Sequence, residues 1–557
     1  MRRSPFGNEF LASNSIADKV DIWKRELDGD IDSEFLLDGI TNGFKLSDLC
    51  EDKANVPSVD LSNHPSASTH TELVEKELLQ QLTFGYYVKA SVKPTIVSPI
   101  GAILKDDASA VRIIHDASRP VGEALNDYSS NNTVKYQTLD DACALVKPGY
   151  YLAKVDLKSA YRSVPLHPSE YCMTGIKWKF QGDNAPTYMF DTRLLFGARK
   201  GCSIFHRLTQ AVKRMLVKRG IVSMVVYLDD FLIVADSYSS CRDAQHILIS
   251  LLGELGFLVS WHKVLGPSLK LPFLGIVIDS VTCSLSLEEK KLRVLEEKLE
   301  DFNRRCRASK LQLQCLAGHL NWACQAVRGG RFFLRRILDL MNKLRLSHHK
   351  TRLTHAFKLD IKWWLQFLCT FNGVVFIRNA ISQVVHTDAC NSGAGMFFNG
   401  DWMYLNWNCD FQEAESLHIN SKEILAVVIA AERWGKDWAN SEVTVCTDSV
   451  VAKAVINRGT YRDPYIMSAL RYLFWISVEY NFKLHAIHIP GTLNQLPDAI
   501  SRLPEPGQLL RLQSLLLNWH HFMTPISNWP CNWMYHMSSG AFQVLRPQLQ
   551  RWSCSFS

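Results

Sequence analysis

The chain contains 557 residues, of which 47% are hydrophobic and 21% are charged, and its formal net charge is +7. This composition can bury several cores, and no uninterrupted apolar run is long enough for a membrane helix, so we expect a soluble multidomain protein with no membrane partner. Met1–Pro5 is not followed by an apolar signal core, and the fifteen cysteines include no Cys-x-x-Cys pair. These features predict an intracellular protein, cytoplasmic, nuclear or both, with reduced thiols and no zinc ribbon.

Residues 1–70 form an acidic N-terminal segment to which the sequence assigns no function. They carry thirteen Asp or Glu against seven Lys or Arg, a net charge of −6. Because nucleic acid is also negative, this segment is a poor RNA-binding arm. We expect it to be a lead-in from a neighbouring domain of a larger polyprotein.

Two strand-like stretches then carry acids near their ends. Tyr151–Leu157 contains Asp156, and the apolar runs 221–227 and 231–235 flank Asp229 and Asp230, which predicts a hairpin with two carboxylates at its tip. Alone, an Asp-Asp pair is most simply a solvated turn. Three carboxylates on neighbouring strands instead suit hard cations, so we expect two Mg²⁺ ions, with Mn²⁺ as the alternative.

With these acids in this order, the stretch Glu72–Asp279 resembles the fingers and palm of a reverse transcriptase, for which we take bounds of 71–285. The resemblance implies that Asp156 and Asp229 are metal ligands and that Asp230 is the adjacent site acid. It also implies an RNA-directed DNA polymerase that uses an RNA template, a DNA primer and deoxyribonucleoside triphosphates. One metal ion would activate the primer 3′-hydroxyl, and the other would hold the triphosphate.

The same resemblance assigns nucleotide contacts. Lys105 and Arg112 match basic residues of a fingers hairpin that grips the triphosphate, although by themselves they are an ordinary exposed basic pair. Phe196 and Gly197 belong to Leu195–Phe205, which resembles the motif that positions template and nucleotide. Within that motif Gly201-Cys202-Ser203 departs from the usual pattern of small residues and Pro, which leaves the fit at the base open.

Three further positions follow the family order. Tyr161 lies five residues after Asp156, where reverse transcriptases place a ring against the sugar; the alternative is a core tyrosine. Lys263 matches a lysine that protonates pyrophosphate, although a surface lysine is equally compatible with the sequence. Leu271–Ile276 resembles the primer-grip strand, and its composition predicts a buried strand.

Residues 286–350 are predicted to be a basic helical thumb. Ser286 and Glu289 have the spacing of a capping box, and an apolar helical stripe follows at Leu292, Leu295, Leu299 and Phe302. Between Arg304 and Lys350 there are eleven Lys or Arg and one acid, Asp339, a local net charge of +10. Such a surface would bind an RNA/DNA hybrid in a salt-dependent way. Residues 351–380 are the predicted connection.

A second group of acids occurs in residues 381–503. The strand-like run 383–388 ends at Asp388, Glu423 begins a helix-like run, and Asp448 follows the strand-like run 442–447. Asp498 lies in the closing segment Ile489–Arg502. Each acid falls at or near the end of an element, where side chains of an α/β sheet can converge, and Asp448 would approach Asp388 if their two strands are neighbours.

The order of these elements and acids resembles a ribonuclease H domain of long-terminal-repeat and related retroelements. The resemblance implies that Asp388, Glu423, Asp448 and Asp498 hold two Mg²⁺ ions for hydrolysis of the RNA strand of a hybrid. The predicted fold is therefore α/β and α+β multidomain, with a right-hand reverse transcriptase followed by an RNase H-like α/β domain. The predicted protein is a multifunctional nucleotidyltransferase and endonuclease.

The segment 314–336 resembles retroelements of the DIRS type most. Residues 504–557 form a Trp-containing tail that remains unassigned, and protein partners are not predicted. The alternative function is a catalytically inactive or host-adopted retroelement remnant that binds nucleic acid.

Overall fold

The computed structural model describes residues 15–49, 53, 55–105, 109–130, 133–376 and 382–523, with side chains as far as residue 517. Asp106 and Asp107 of the fingers motif, and the tryptophans of the tail from Trp529 onward, lie outside the described residues. The chain divides into two compact units, Met1–Cys283 and Ser284–Ser557. The predicted mixture of α/β and α+β structure is confirmed.

The first unit contains seven α-helices and thirteen β-strands within its described residues. The helices are α1 Val20–Glu26, α2 Ser33–Asn42, α3 Pro65–Thr69, α4 Thr71–Thr83, α5 Leu139–Leu145, α6 Gly201–Lys218 and α7 Tyr238–Glu254. The strands are β1 Val59–Asp60, β2 Tyr87–Lys89, β3 Ile96–Val97, β4 Ile100–Leu104, β5 Val111–His115, β6 Tyr151–Asp156, β7 Gly175–Trp178, β8 Thr187–Asp191, β9 Met224–Tyr227, β10 Asp230–Ala235, β11 Leu265–Ser268, β12 Lys270–Phe273 and β13 Ile276–Asp279.

Three sheets of this unit position its site. A five-stranded sheet has the order β1-β3-β7-β8-β2, a four-stranded sheet has the order β11-β6-β10-β9, and β4 pairs with β5 as a hairpin. Helices α6 and α7 supply apolar faces to one core, which includes Phe205, Leu248, Val226 and Phe231. Because β9 and β10 are apolar on both faces, they lie at the centre of this core and leave only their connecting turn polar.

The second unit contains ten α-helices and nine β-strands within its described residues. The helices are α8 Glu289–Arg304, α9 Lys310–Ala323, α10 Arg335–Asn342, α11 His355–Phe367, α12 Trp407–Asp410, α13 Ile419–Trp434, α14 Val450–Arg458, α15 Pro464–Glu479, α16 Gln495–Ser501 and α17 Gln508–Met523. The strands are β14 Ser284–Leu287, β15 Arg307–Ser309, β16 Lys350–Arg352, β17 Val374–Val375, β18 Ser382–Ala389, β19 Gly393–Phe398, β20 Asp401–Asn406, β21 Glu442–Thr447 and β22 Lys483–His488.

A mixed five-stranded sheet organises the C-terminal part of this unit. Its order is β20-β19-β18-β21-β22, with antiparallel pairs among the first three strands and parallel pairs from β18 to β22. Helix α13 is buried along nearly its whole length against this sheet and α15. Helix α16 approaches β19 so closely that a Cβ on Gly395 would lie 2.2 Å from the carbonyl oxygen of Pro497. Glycine is therefore required at that point of the strand.

Helix α17 lies in the region that the sequence leaves unassigned. Leu512 and Leu516 are buried against Phe397, Trp402 and Ile500, so this helix covers part of the β19–β20 and α16 surface. No helix in the described part of the chain is long and apolar enough to cross a membrane.

Two local predictions are wrong. The predicted capping box of Ser286 and Glu289 does not form, because Ser286 lies in strand β14. Helix α8 begins after Glu288, with no side-chain capping bond. Leu271–Ile276 is not one strand, because Leu274 and Gly275 both have positive φ angles, 49° and 85°, and form the turn between β12 and β13. The stripe on α8 is correct at Leu295, Leu299 and Phe302, whereas Leu292 is only half-buried.

Candidate active sites

The three acids of the first unit lie at one end of two paired strands. Asp156 is the last residue of β6 and is opposite Asp230, the first residue of β10, in the antiparallel register. Asp229 lies in the turn between β9 and β10, which Leu228 enters with a φ of 50°. The Asp229 carbonyl accepts a hydrogen bond of 3.1 Å from the Leu157 backbone N–H, which fixes this turn beside the end of β6.

A cavity of about 530 Å³ opens at this end of the strands. Seven of the predicted site residues line it, and Asp230 and Gly197 are not among the lining residues. The seven are Lys105, Arg112, Asp156, Tyr161, Phe196, Asp229 and Lys263. Four carboxylates and five Lys or Arg line the cavity in all: Glu77, Asp156, Asp191, Asp229, Lys105, Lys158, Lys263, Arg112 and Arg162. Acids that can hold metal ions, together with several cations, are the charge arrangement expected for a polyphosphate held beside metal ions.

Asp156 and Asp230 each form an ion pair with a different lysine. Lys263 Nζ lies 3.1 Å from Asp156 Oδ1, whereas Lys154 Nζ lies 2.7 Å from Asp230 Oδ1. Burial raises the pKa of Asp229, and the charge of Asp156 raises it further. Burial also raises the pKa of Asp230 to about 6, against the opposing effect of Lys154. Asp230 therefore forms an ion pair with Lys154 and does not line the cavity.

Tyr161 belongs to an aromatic stack that forms part of the cavity wall. Its ring is 8% exposed and lies on Phe196, with centroids 4.9 Å apart and an interplanar angle of 11°. Its hydroxyl lies 3.1 Å from Cys202 Sγ. The tyrosine therefore packs in the core and also lines the cavity, and its contact with a sugar stays a prediction.

At Gly197 the backbone passes so close to the backbone of His115 that there is no room for a side chain. The φ of Gly197 is 118°, and a Cβ there would lie 1.9 Å from the His115 carbonyl oxygen. The His115 backbone N–H donates to the Phe196 carbonyl at 2.9 Å. These contacts attach the end of β5 to the Phe196–Gly197 turn, and so attach the fingers hairpin to the cavity wall.

The two basic residues of the fingers hairpin are both exposed toward the cavity. Arg112 pairs with Ile103 in the β4–β5 register, and its guanidinium lies 5.0 Å from the centre of the Phe196 ring. Lys105 follows β4, and its backbone N–H donates to the Ala110 carbonyl. The hairpin thereby presents two positive charges opposite the carboxylates of Asp156 and Asp229.

Three acids of the second unit converge. One ligand oxygen from each of Asp388, Glu423 and Asp448 can be chosen so that all three lie within 4.8 Å of one another. Asp388 is near the end of β18, Asp448 directly follows β21, and these strands are parallel neighbours with His386 opposite Cys446. The expected approach of Asp448 to Asp388 is therefore observed. Glu423 enters from the second turn of α13.

Burial and mutual repulsion disfavour ionisation of this group. Burial raises the pKa of Glu423 to about 9, with further increases from Asp388 and Asp448. Burial raises the pKa of Asp388 to about 6, although a hydrogen bond of 2.6 Å from the Ser501 hydroxyl opposes the rise. Glu423 Oε2 is buried and has no hydrogen-bond partner within the described residues. Three oxygen donors with an unpartnered buried oxygen among them fit a divalent hard cation.

Asp498, the fourth predicted ligand, is near this group but is held by arginines. Its two carboxylate oxygens accept hydrogen bonds of 2.8 Å from Arg502 Nε and from Arg511 Nη1. Its charge still raises the pKa of Asp388. Asp498 therefore lies beside the convergent acids, with its carboxylate turned into an ion-pair network.

Several partners of the predicted acids were not anticipated from the sequence. Arg502 follows Asp498 by four residues on α16, a spacing that could have indicated the pair. Arg511 comes from α17, Lys154 on strand β6 pairs with Asp230 of the neighbouring strand, and Ser501 bonds to an acid 113 positions away. Such contacts depend on tertiary packing and have no local signal.

Comparison with known families identifies the class of the first unit. Residues 103–278 match the family model described as "Reverse transcriptase (RNA-dependent DNA polymerase)". The chain therefore carries a reverse transcriptase domain, with a further domain C-terminal to it, and the resemblance of the polymerase segment is confirmed.

Individual relatives are viral proteins. The chain is 26% identical over 191 residues to the Gag-Pol polyprotein of avian reticuloendotheliosis virus, covering 34% of this chain and 16% of the relative. It is 24% identical over 213 residues to Protein P of duck hepatitis B virus (strain China), covering 37% of this chain and 26% of the relative. The matches thus span about a quarter or less of these curated relatives.

Solved structures that match this chain include the foamy viral protease-reverse transcriptase in complex with dsDNA. It is 15% identical, with a TM-score of 0.49, and the match covers 85% of this chain and 98% of that chain. The same protein in complex with RNA/DNA hybrid matches with a TM-score of 0.49 at 15% identity, covering 87% of this chain and 64% of that chain.

Proposed function

We propose that this protein is an RNA-directed DNA polymerase that copies retroelement RNA into DNA. The observation that carries the proposal is the cavity in which Asp156 and Asp229 face Lys105, Arg112 and Lys263, within a segment that matches the reverse transcriptase family. The substrates are an RNA template, a DNA primer and deoxyribonucleoside triphosphates. Asp156 and Asp229 would hold Mg²⁺, two ions per site, with Mn²⁺ as a substitute, and these ions would supply Lewis-acid stabilisation of the transferring phosphoryl group.

The other residues of the cavity would bind the triphosphate, deliver a proton and select the sugar. Lys105 and Arg112 bind and orient the triphosphate, because exposed cations on a hairpin that is anchored at its base can approach phosphate oxygens. Lys263 lies within 3.2 Å of Asp156, from which it can deliver a proton to the departing pyrophosphate. The Tyr161 ring, which stacks on the Phe196 ring, excludes a sugar that carries a 2′-hydroxyl.

A primer-extension assay tests this proposal. The purified chain is supplied with an RNA template annealed to a DNA primer, four deoxyribonucleoside triphosphates and Mg²⁺. Extension to the template end is expected, and ribonucleoside triphosphates should support it poorly. If no extension occurs with either Mg²⁺ or Mn²⁺, the alternative of an inactive or host-adopted nucleic-acid-binding remnant is favoured.

We also propose a ribonuclease H activity in the second unit. It is supported by the convergence of Asp388, Glu423 and Asp448 at the ends of neighbouring elements of a mixed α/β sheet. These acids would hold Mg²⁺, and Asp498 would complete the set after release from its arginines. Mg²⁺ held there would supply the positive charge that binds the scissile phosphate and activates the attacking water, and it would neutralise the mutual repulsion of the carboxylates.

A hybrid-cleavage assay tests the second activity independently of the first. RNA labelled at one end and annealed to DNA should be cut in the presence of Mg²⁺, whereas the same RNA annealed to RNA should not be cut. The basic stretch from Arg304 to Lys350 is the proposed surface for the hybrid. Because this surface is positively charged, binding of the hybrid should weaken steeply as salt concentration rises.

A further inference from the structure

A cavity of about 410 Å³ in the second unit contains none of the acids of either proposed reaction, although two of its arginines belong to the basic stretch proposed to bind the hybrid. Its walls come from the segments 327–332, 373–375, 456–459 and 481–483, together with Cys324. Four of its lining residues are cationic and none is acidic: they are Arg328, Arg331, Arg458 and Lys483.

Its position separates it from the nuclease acids. The cavity lies at the start of β22, near Lys483, whereas Asp448 follows the far end of the neighbouring parallel strand β21. Glu442 is paired with Lys483 and Thr447 with His488, so the two ends of the strands are five residues apart. At about 3.3 Å per residue this is a separation of roughly 16 Å, so the cavity is not a subsite for the scissile phosphate.

The cations of this cavity fall into two classes. Arg328 is structural, because its guanidinium donates to the carbonyls of Ser477 and Phe482 at 2.9 and 3.0 Å. Arg331 and Arg458 are both exposed, and neither has a hydrogen bond or an ion pair within the described residues. Arg458 lies in the last turn of α14, and Arg331 lies in the last turn of the short 3-10 helix Gly330–Phe333. Two free guanidinium groups in one concave surface suit a bound anion.

The rest of the wall suits a planar apolar group. Phe332 packs against Phe474, with centroids 5.3 Å apart, and a Cβ on Gly459 would lie 3.2 Å from the Phe332 ring. Val375 and Ile456 add aliphatic surface. The volume is within the range of small-ligand sites, in which apolar walls carry a few polar groups that fix orientation.

We propose that this cavity binds a nucleoside phosphate, with the phosphate between Arg331 and Arg458 and the base against Phe332, Val375 and Ile456. The ligand is a free nucleotide or the terminal nucleotide of a strand, which share this chemistry. The site goes beyond both proposed activities and uses none of their acids.

Titration calorimetry on the full chain tests the proposal. Adenosine 5′-monophosphate is titrated in EDTA, which prevents metal-dependent binding at the two acidic sites, and is compared with adenosine, inorganic phosphate and a 5′-phosphorylated oligonucleotide. We expect the nucleotide, the oligonucleotide or both to bind, and adenosine and inorganic phosphate to bind at least about tenfold more weakly. Binding of the mononucleotide identifies a free nucleotide as ligand, and binding of the oligonucleotide alone identifies a strand end.

Arg331→Gln and Arg458→Gln should each weaken this binding about tenfold, since each removes a charge-assisted bond. Both residues are exposed, so neither variant should unfold the unit. Arg462→Gln, which removes an exposed arginine that does not line the cavity, is the matched control. Unchanged affinity in the Arg331 and Arg458 variants, or equal affinity for adenosine and its monophosphate, would overturn the proposal. Primer extension and hybrid cleavage by the same variants show whether the two main activities persist.

Discussion

Asp156 and Asp230 lie directly opposite each other in the β6–β10 register, yet only Asp156 lines the cavity, because Lys154 holds the Asp230 carboxylate at 2.7 Å. The adjacent acids Asp229 and Asp230 therefore differ in their surroundings despite being neighbours in sequence. Asp229 shares the cavity with Asp156, and Asp230 forms part of the supporting ion pair. This difference makes separate predictions for the two acids testable by substitution.

Tyr161→Ala should admit ribonucleotides, because it removes the ring that is stacked on Phe196 at the cavity wall. The ratio of extension rates with deoxy- and ribonucleoside triphosphates should fall by about tenfold or more, as expected for loss of a steric clash in a fitted pocket. Tyr161→Phe is the control, since it removes only the hydroxyl contact with Cys202 and should retain discrimination. Equal selectivity in the alanine variant and the wild type would show that Tyr161 has only a packing role.

Asp448→Asn should stop cleavage of RNA in an RNA/DNA hybrid while primer extension continues. Asp448 is one of three acids whose ligand oxygens lie within 4.8 Å, and an amide cannot supply its negative charge to a cation there. The expected loss of cleavage is on the order of a hundredfold or more. Asp437→Asn, at an exposed position, should cleave normally. Wild-type cleavage by the Asp448 variant would make Asp448 a structural acid and remove the support for the nuclease.

The buried His115 should make the stability of the first unit depend on pH. Burial lowers the pKa of its imidazole from 6.5 to about 4, and its ring accepts or donates a 2.8 Å hydrogen bond with the Tyr87 hydroxyl. Because the folded state resists protonation, this contribution to stability is complete above the unfolded pKa of 6.5. It is lost as pH falls from 6.5 toward 4.

Urea unfolding at two pH values measures this effect. Between about pH 7 and pH 5, the free energy of unfolding of the wild type should fall by roughly 2 kcal/mol relative to that of His115→Gln, which has no titrating group at this position. A difference between the two proteins that stays constant across this interval would mean that His115 is not held neutral by burial.

The sequence predicts the site best where the determinants are local. The hairpin that carries Asp229 is confirmed because two apolar runs flank a polar dipeptide, and the fingers hairpin of Arg112 follows the same pattern. The approach of Asp448 to Asp388 requires only that β18 and β21 be parallel neighbours, which the alternation of strands and helices favours.

Predictions that depend on backbone conformation or distant partners are less successful. The positive φ of Leu274 makes a turn within an apolar run that otherwise resembles one strand. The arginine on α17 that binds Asp498 is separated from it by thirteen positions, and nothing in its neighbourhood distinguishes it from a surface charge. Such features are determined by packing between elements, which hydrophobic periodicity alone does not specify.

The most direct test of the polymerase assignment is primer extension by Asp229→Asn on an RNA template, with Asp236→Asn as control. Asp236 is an exposed acid just beyond β10, so its variant should extend at the wild-type rate. The Asp229 variant should lose extension by on the order of a hundredfold or more, because it removes one of the two proposed metal-binding carboxylates that line the cavity, while hybrid cleavage continues. Extension by Asp229→Asn at the wild-type rate would contradict the assignment of this cavity as the polymerase site.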